Sequence, residues 1–229
     1  MTTTPPRPIQ PGDRAPGFSL PAINREGAVS LEEYRGKQPV LVGLFRGLSC
    51  PFCRRHLVQL SATQEKLKPT GVETLGVVNT TLDRARLYFK YRPTRIPLAA
   101  DPEAATHRAY GVPEFQVADT TQWPYRITLE ELGRVRLNPT GELPAPLSPL
   151  EIVAELDRRD GFQPTEVDEQ IYAAHATQAT GHFLIDREGT IRWTYIEASK
   201  GIADLTILPT ENEILVAAAA LDLTRKETT

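Results

Sequence analysis

The sequence is poor in cysteine, with two among 229 residues, and it has no long apolar run. Two cysteines are too few for a disulfide-stapled scaffold or a four-cysteine zinc site. A membrane-spanning helix needs about 20 consecutive apolar residues. The first residues also lack the basic-then-apolar pattern of a secretion signal. We therefore expect a cytoplasmic protein with no membrane-spanning segment.

The sequence also lacks an excess of charge, since 26 basic and 29 acidic residues give a net charge of −3. Nucleic acids and anionic membranes attract proteins with clustered basic residues. We therefore expect neither of them as a partner. The charge is unevenly distributed, however. Residues 113–180 contain twelve acidic and five basic residues, a net charge of −7, which leaves +4 on the rest of the chain.

Apolar runs typical of buried strands alternate with segments of helical periodicity. The predicted order is strand 39–46, helix 51–68, strand 72–78, helix 82–91, strand 97–100 and helix 101–110. This alternation predicts an α/β fold in which parallel strands are joined by right-handed crossovers. A hairpin over 181–196 and a helix over 211–223 are predicted to end the chain.

Proline and charge divide the chain into unequal parts. Four prolines fall in residues 1–12, which we expect to form a flexible tail. We expect one domain over residues 13–222 and a short tail over 223–229. Seven of the 20 prolines fall in residues 113–180, which interrupt the domain before its C-terminal hairpin. Within this insertion, helices are predicted from Pro149 and over 166–177.

The two cysteines form the motif Cys50-Pro-Phe-Cys53 between a predicted buried strand and a predicted helix. Backbone N–H groups at a helix start have no partner in the helix, and the helix dipole favours negative charge there. A thiol at Cys50 would therefore ionise easily, and Arg46 and Arg54 add positive charge nearby. Cys53 falls on the apolar stripe of the helix, which faces the core.

This arrangement predicts thiol redox chemistry. The Cys50 thiolate attacks a peroxide oxygen or a disulfide sulfur, and Cys53 then closes an intramolecular disulfide. An external thiol must reduce that disulfide. The alternatives are two inert buried cysteines or a metal site with His56, which would lack a fourth ligand. We therefore predict neither a metal nor a cofactor.

Several short motifs occur around the cysteine turn in a fixed order. They are Pro11-Gly-Asp-Arg-Ala-Pro-Gly-Phe-Ser-Leu20, Asp101-Pro102, Tyr110-Gly-Val112 and Phe183-Leu-Ile-Asp-Arg-Glu-Gly189. Together they resemble the peroxiredoxin-like (AhpC/TSA, redoxin) group of thioredoxin-fold proteins, over about 11–112 and 181–200. The resemblance implies a thioredoxin-like fold, a central mixed sheet flanked by helices, and peroxide reduction with a thiol reductant such as thioredoxin or glutathione.

The sequence departs from this family's pattern at two positions. Members of the family carry threonine or serine three residues before the nucleophilic cysteine, where this chain has Gly47, with Ser49 adjacent to Cys50 instead. They carry an arginine before the late strand, where this chain has Thr180. We treat Ser49 and Thr180, with Arg46 and Arg54, as candidates for stabilising the thiolate or the substrate.

Other functions stay open at this stage. Peroxide is the leading substrate, and a thiol-disulfide oxidoreductase, a non-catalytic redox or metal-binding module and a specialised enzyme with the insertion as a lid are alternatives. Exposed sheet edges and the uneven charge are compatible with a homodimer.

Five further features have a mainly structural interpretation. We expect His182 to face away from the site, and His107 and His175 to lie on the surface. The basic run from Arg84 to Arg95 would form a solvated face or pair with the acidic insertion. Trp123-Pro124-Tyr125 would anchor a loop or cover a pocket.

Overall fold

The computed structural model describes residues 7–120 and 125–226, with side chains to residue 221. The predicted Trp123-Pro124 feature lies outside the described residues. The strands are β1 (Ser19–Pro21), β2 (Ala28–Ser30), β3 (Val40–Phe45), β4 (Glu73–Val78), β5 (Leu98–Ala100), β6 (Gln116–Val117), β7 (Arg126–Ile127), β8 (Gly181–Ile185) and β9 (Ile191–Ile196). The helices are α1 (Pro51–Leu67), α2 (Leu82–Tyr91), α3 (Ala105–Ala109), α4 (Leu129–Arg134), α5 (Pro149–Asp160), α6 (Glu166–His175) and α7 (Glu211–Lys226).

A five-stranded mixed sheet in the order β5-β4-β3-β8-β9 forms the centre of the fold. β3 pairs in parallel with β4, and β4 pairs in parallel with β5. β8 pairs antiparallel with both β3 and β9. All six residues of β3 are buried, which explains why its sequence is a continuous apolar run. The predicted α/β fold with a central mixed sheet is confirmed.

Helix α1 begins at the cysteine motif and packs on the sheet through its predicted apolar stripe. Cys53, Leu57, Leu60 and Leu67 are all buried in one core cluster. Pro51 occupies the first helical position, where no backbone N–H is needed. The end of β3 and the start of α1 therefore bring Cys50 to the edge of the sheet. No helix in the described part of the chain could cross a membrane.

The insertion is folded and contains structure that the sequence pattern did not predict. Helix α5 starts at the predicted capping box of Ser148 and Glu151, and α6 starts at a second one. Helix α4 and the short parallel pair β6–β7 were not predicted. They are too short, at six and two residues, to give a readable periodicity.

Ion pairs join the acidic insertion to the basic core. Arg54 on α1 contacts Asp157 at 2.6 Å and Asp160 at 3.3 Å, both on α5. Arg84 on α2 contacts the buried Asp168 on α6 at 2.7 Å. Pairing between the basic run and the acidic insertion, one of the two expected outcomes, is therefore confirmed for Arg84.

Some element boundaries differ from the predicted ones. The helix predicted over 101–110 is limited to α3, because the Asp101 carboxylate accepts hydrogen bonds from the backbone N–H groups of Ala105 and Thr106 and so caps a later start. Residues 7–12, within the expected tail, hydrogen-bond to the domain: the N–H of Ile9 donates to Tyr110 and that of Gly12 to Ile191. Helix α7 extends to Lys226 rather than 223.

We predict that Arg54→Ala lowers the free energy of unfolding by about 3 kcal/mol, because it leaves two partly buried carboxylates without their cation. Urea denaturation measures this. Lys66→Ala is the matched control on the same helix, since it removes an exposed ion pair with Glu211 and is expected to cost less than about 1 kcal/mol. Equal losses in the two variants would contradict the role of Arg54 as an anchor.

Candidate active site

Cys50 is the N-cap residue of α1, as the sequence predicted. Its backbone is extended, and its Sγ accepts a hydrogen bond from the backbone N–H of Cys53 at 3.2 Å. Both cysteines are free thiols. Cys50 is 9% exposed and lines a cavity, whereas Cys53 is 1% exposed in the core. A small molecule in that cavity would therefore reach Cys50 first.

The two thiols have opposite pKa shifts. Burial acts to raise the pKa of Cys50, but the hydrogen bond from the Cys53 thiol and the positive charge of Arg46 outweigh it and lower the pKa to about 6. Burial raises the pKa of Cys53, and its hydrogen bond to Cys50 adds to the effect. At neutral pH, Cys50 is therefore mainly a thiolate, the nucleophilic form, and Cys53 is a thiol.

Arg46 reaches the site from the end of β3 and is held there by Glu197, which follows β9. Its Nη2 lies 2.8 Å from Glu197 Oε1. Burial acts to lower the pKa of Arg46, but Glu197 and the two cysteines raise it well above its ordinary value. The guanidinium is therefore always charged, and it supplies the positive potential next to Cys50.

Glu197 is the residue of this site that the sequence analysis missed. Its fully buried carboxylate accepts hydrogen bonds from Arg46 and from the backbone N–H groups of Thr180 and Thr206, at 3.0 and 2.8 Å. A buried charge with three donors is well compensated. The available signal was an acidic residue directly after an apolar strand, which has no meaning until its partners are known.

The other candidates occupy different positions. Ser49 lines the cavity beside Cys50. Thr180 is fully buried, and its hydroxyl has no hydrogen-bond partner among the described residues. Arg54, expected beside the thiolate, donates instead to the Leu48 carbonyl and pairs with α5, because its side chain leaves the helix on the side where the insertion packs.

Gly47 occupies a space that α6 fills. A Cβ atom on this residue would lie 2.7 Å from the carbonyl oxygen of Asn79 and 2.8 Å from Cγ2 of Ile171. Both distances are too short for a real contact, so a threonine or serine does not fit here without a shift of the backbone or of α6. The family's hydroxyl is therefore absent for a steric reason.

The cavity over Cys50 has a volume of about 810 Å³. The core contributes the cysteine turn to its wall, and the insertion contributes apolar residues of α4, α5 and α6. The turn before α7 contributes Ile202 and Leu205. Among the described residues, no group of three or more histidine, cysteine and acidic side chains is arranged to hold a metal.

The histidines lie apart from this cavity wall, with one exception. His182 packs in the core against His56, with ring centroids 4.8 Å apart, and against Phe45. Burial lowers the pKa of both histidines, to about 4 for His56, so they are neutral at pH 7. The expectation that His107 lies on the surface is wrong, since it is fully buried. His175 lines the cavity, half-buried, and bonds to the Pro102 carbonyl.

This fold and this site define a thioredoxin-fold protein with a Cys-x-x-Cys pair at a helix start. The sequence profile of the AhpC/TSA family matches residues 11–137, more than half of the chain. The chain therefore belongs to the AhpC/TSA family, and the predicted resemblance is confirmed.

Two curated relatives are peroxiredoxins by name. Peroxiredoxin Bcp of Escherichia coli (strain K12) is 29% identical over 105 residues, which are 46% of this chain and 66% of that protein. A putative peroxiredoxin of Mycobacterium tuberculosis is 26% identical over 103 residues, 45% of this chain and 64% of that protein. The chain thus spans slightly less than two thirds of each relative's length.

Solved structures share the fold at low sequence identity. The reduced 2-Cys peroxiredoxin of Plasmodium vivax has a TM-score of 0.59 at 17% identity, covering 96% of this chain and 85% of that one. A putative thiol:disulfide interchange protein DsbE from Chlorobium tepidum has a TM-score of 0.51 at 19% identity, covering 92% and 99%. Both confirm the thioredoxin-like fold.

We predict that Arg46→Met raises the pKa of Cys50 by about 1 unit, because the thiolate loses its neighbouring cation. The pH dependence of alkylation by iodoacetamide measures this, and we expect a midpoint near pH 6 in the unchanged protein. Arg55→Met is the control, since Arg55 pairs with Asp160, and it should leave the midpoint in place. An unchanged midpoint in Arg46→Met would remove Arg46 from the site.

Proposed function

We propose that this chain is a thiol-dependent peroxidase in which Cys50 is the nucleophile and Cys53 the resolving cysteine. The observation that carries the proposal is the lowered pKa of Cys50 at the wall of a cavity, beside a charged arginine. Membership of the AhpC/TSA family and relatives named peroxiredoxins support peroxide as the substrate.

The first step transfers one oxygen atom. The Cys50 thiolate attacks the terminal oxygen of a hydroperoxide ROOH, the O–O bond breaks, and Cys50 becomes a sulfenic acid while RO⁻ leaves and takes a proton from water. Arg46 stabilises the thiolate before attack and the negative oxygen as it leaves. We assign to Ser49, on the cavity wall, a hydrogen bond to a substrate oxygen, and to Thr180 a positioning role through Glu197.

The second step closes the disulfide. Cys53 loses its proton, its sulfur attacks the Cys50 sulfenic acid, and water leaves. The negative charge and hydrogen bond of Cys50 are among the causes that raise the pKa of Cys53, and oxidation of Cys50 removes that charge. The resolving thiol therefore becomes easier to ionise once it is needed.

The cycle needs an external reductant. Two thiol equivalents, from a partner such as thioredoxin or from glutathione, must reduce the Cys50–Cys53 disulfide. A reducing compartment supplies them, and for that reason we propose a cytoplasmic location. The peroxide and this thiol reductant are the partners that the mechanism requires.

Thiol-disulfide exchange is the second candidate function. The Cys-x-x-Cys pair supports it, and so does the lack of the family's hydroxyl at Gly47. In this reaction the Cys50 thiolate attacks a disulfide sulfur and Cys53 releases the reduced product. Peroxide stays the leading proposal because the wall of the cavity keeps Cys50 largely covered, which favours a small substrate.

A homodimer is a further proposal. β5 and β9 are the edge strands of the central sheet among the described residues, and an uncovered edge offers backbone groups to a second copy. Light scattering after size-exclusion chromatography tests this, and a monomer at working concentration would contradict it.

We predict that one equivalent of hydrogen peroxide removes both thiols of the reduced protein. Cys50→Ser abolishes this reaction, because Cys53 stays protonated and buried. Cys53→Ser stops the reaction at a Cys50 sulfenic acid, which dimedone labels and mass spectrometry locates. Thiol counting at pH 7 follows each reaction.

The same proteins mixed with oxidised glutathione separate the two candidate functions. Fast oxidation by peroxide with slow exchange supports the peroxidase. Inertness to peroxide with fast exchange supports the thiol-disulfide oxidoreductase and contradicts our proposal. Labelling of Cys53 in Cys50→Ser would reverse the two assigned roles.

A further inference from the structure

The cavity over Cys50 is largely built by the insertion. At about 810 Å³ it falls within the range of sites that hold small molecules. Its apolar wall includes Leu129 and Leu132 from α4, Leu150 and Val153 from α5, and Ile171 from α6. The family-specific core supplies the thiolate, and the inserted segment supplies the surface that a substrate would touch beyond it.

Polar side chains in this wall are mostly occupied by partners of their own. Asp157 pairs with Arg54, Asp168 pairs with Arg84, and His175 bonds to the Pro102 carbonyl. Arg46 is an exception, since its Nε is buried without a hydrogen-bond partner. A molecule in the cavity therefore meets apolar surface along most of its length and a cation beside the thiolate.

The apolar surface of the cavity extends to its rim. Leu129 and Leu150 are 73% and 76% exposed, and Val117 and Tyr172 are about half exposed. These are four of the nine large apolar side chains that are exposed in the described chain. Exposed apolar residues grouped around one opening indicate a binding site. The small exposure of Cys50 favours a small molecule that enters the cavity over a protein surface laid across it.

We propose that the insertion makes this cavity a binding site for the apolar body of the substrate, so that the preferred oxidant is an organic hydroperoxide with a bulky hydrocarbon group. This inference rests on the proposed peroxidase function. The hydrocarbon group lies against α4, α5 and α6, the O–O group meets Cys50, and the products are the Cys50 sulfenic acid and the alcohol. Hydrogen peroxide has no apolar group and gains nothing from this surface.

The kinetic test compares cumene hydroperoxide with hydrogen peroxide. We expect the rate constant for oxidation of Cys50, measured by stopped flow, to be at least 10-fold larger for cumene hydroperoxide, a ratio that corresponds to about 1.4 kcal/mol. The double variant Leu129→Asp/Leu150→Asp should lower that ratio at least 5-fold. Both positions are exposed and lie in the first turns of their helices, where aspartate is tolerated.

The matched control is Val58→Asp/Val216→Asp, which makes the same charge change at two valines that are 71% and 63% exposed on α1 and α7. We expect this variant to keep the ratio within 2-fold. Equal rate constants for the two oxidants in the unchanged protein would overturn the inference while leaving the peroxidase function in place.

A second measurement does not depend on redox activity. The product alcohol, 2-phenyl-2-propanol, should bind to the full-length Cys50→Ser protein in isothermal titration calorimetry and lose affinity in the Leu129→Asp/Leu150→Asp background. Binding together with inertness to both peroxides would refute the proposed function and support the site. If light scattering finds a dimer that only this double variant dissociates, the apolar rim is an interface between copies, and the inference is wrong.

Discussion

The geometry around Cys50 depends on the buried ion pair between Arg46 and Glu197. Glu197 is fully buried, and it accepts hydrogen bonds from Arg46, from the start of β8 at Thr180 and from the turn at Thr206. One carboxylate thus joins the ends of β3, β8 and β9 to the segment before α7. Removing a charge from water costs several kcal/mol, and the cost is offset only while all partners are present. The position of the cation beside the thiolate and the packing of the strand ends are therefore one constraint.

The inserted segment and the cysteine turn constrain each other as well. Ile171 on α6 lies where a side chain at residue 47 would be, so the glycine is a condition for the insertion to pack on the turn. The anchors are electrostatic, from Arg54 and Arg84 in the core to Asp157 and Asp168 in the insertion. The site therefore exchanges a hydroxyl beside the nucleophile for an apolar wall, and Arg46 supplies the charge stabilisation.

Features that depend on neighbouring residues could be predicted from the sequence. The strands and helices before residue 92, the late hairpin, the caps and the cysteine at the start of α1 follow from periodicity and from helix-end chemistry. Features that depend on the fold could not. Glu197 lies 151 residues from Arg46, Arg54 faces a segment that contacts it only in the folded chain, and α3 is too short to reveal that His107 is buried. The domain boundaries stay predictions.

The opposite pKa shifts of the two thiols determine the order of their chemistry. A reversed order would require Cys53 to ionise first, at 1% exposure and next to the Cys50 sulfur. Burial and the neighbouring thiolate both oppose that ionisation, whereas the Cys53 S–H and N–H groups stabilise charge on Cys50. The hydrogen bond that makes Cys50 a nucleophile therefore also keeps Cys53 protonated. Because the charge on Cys50 is consumed when its sulfur is oxidised, the first reaction removes one of the obstacles to the second.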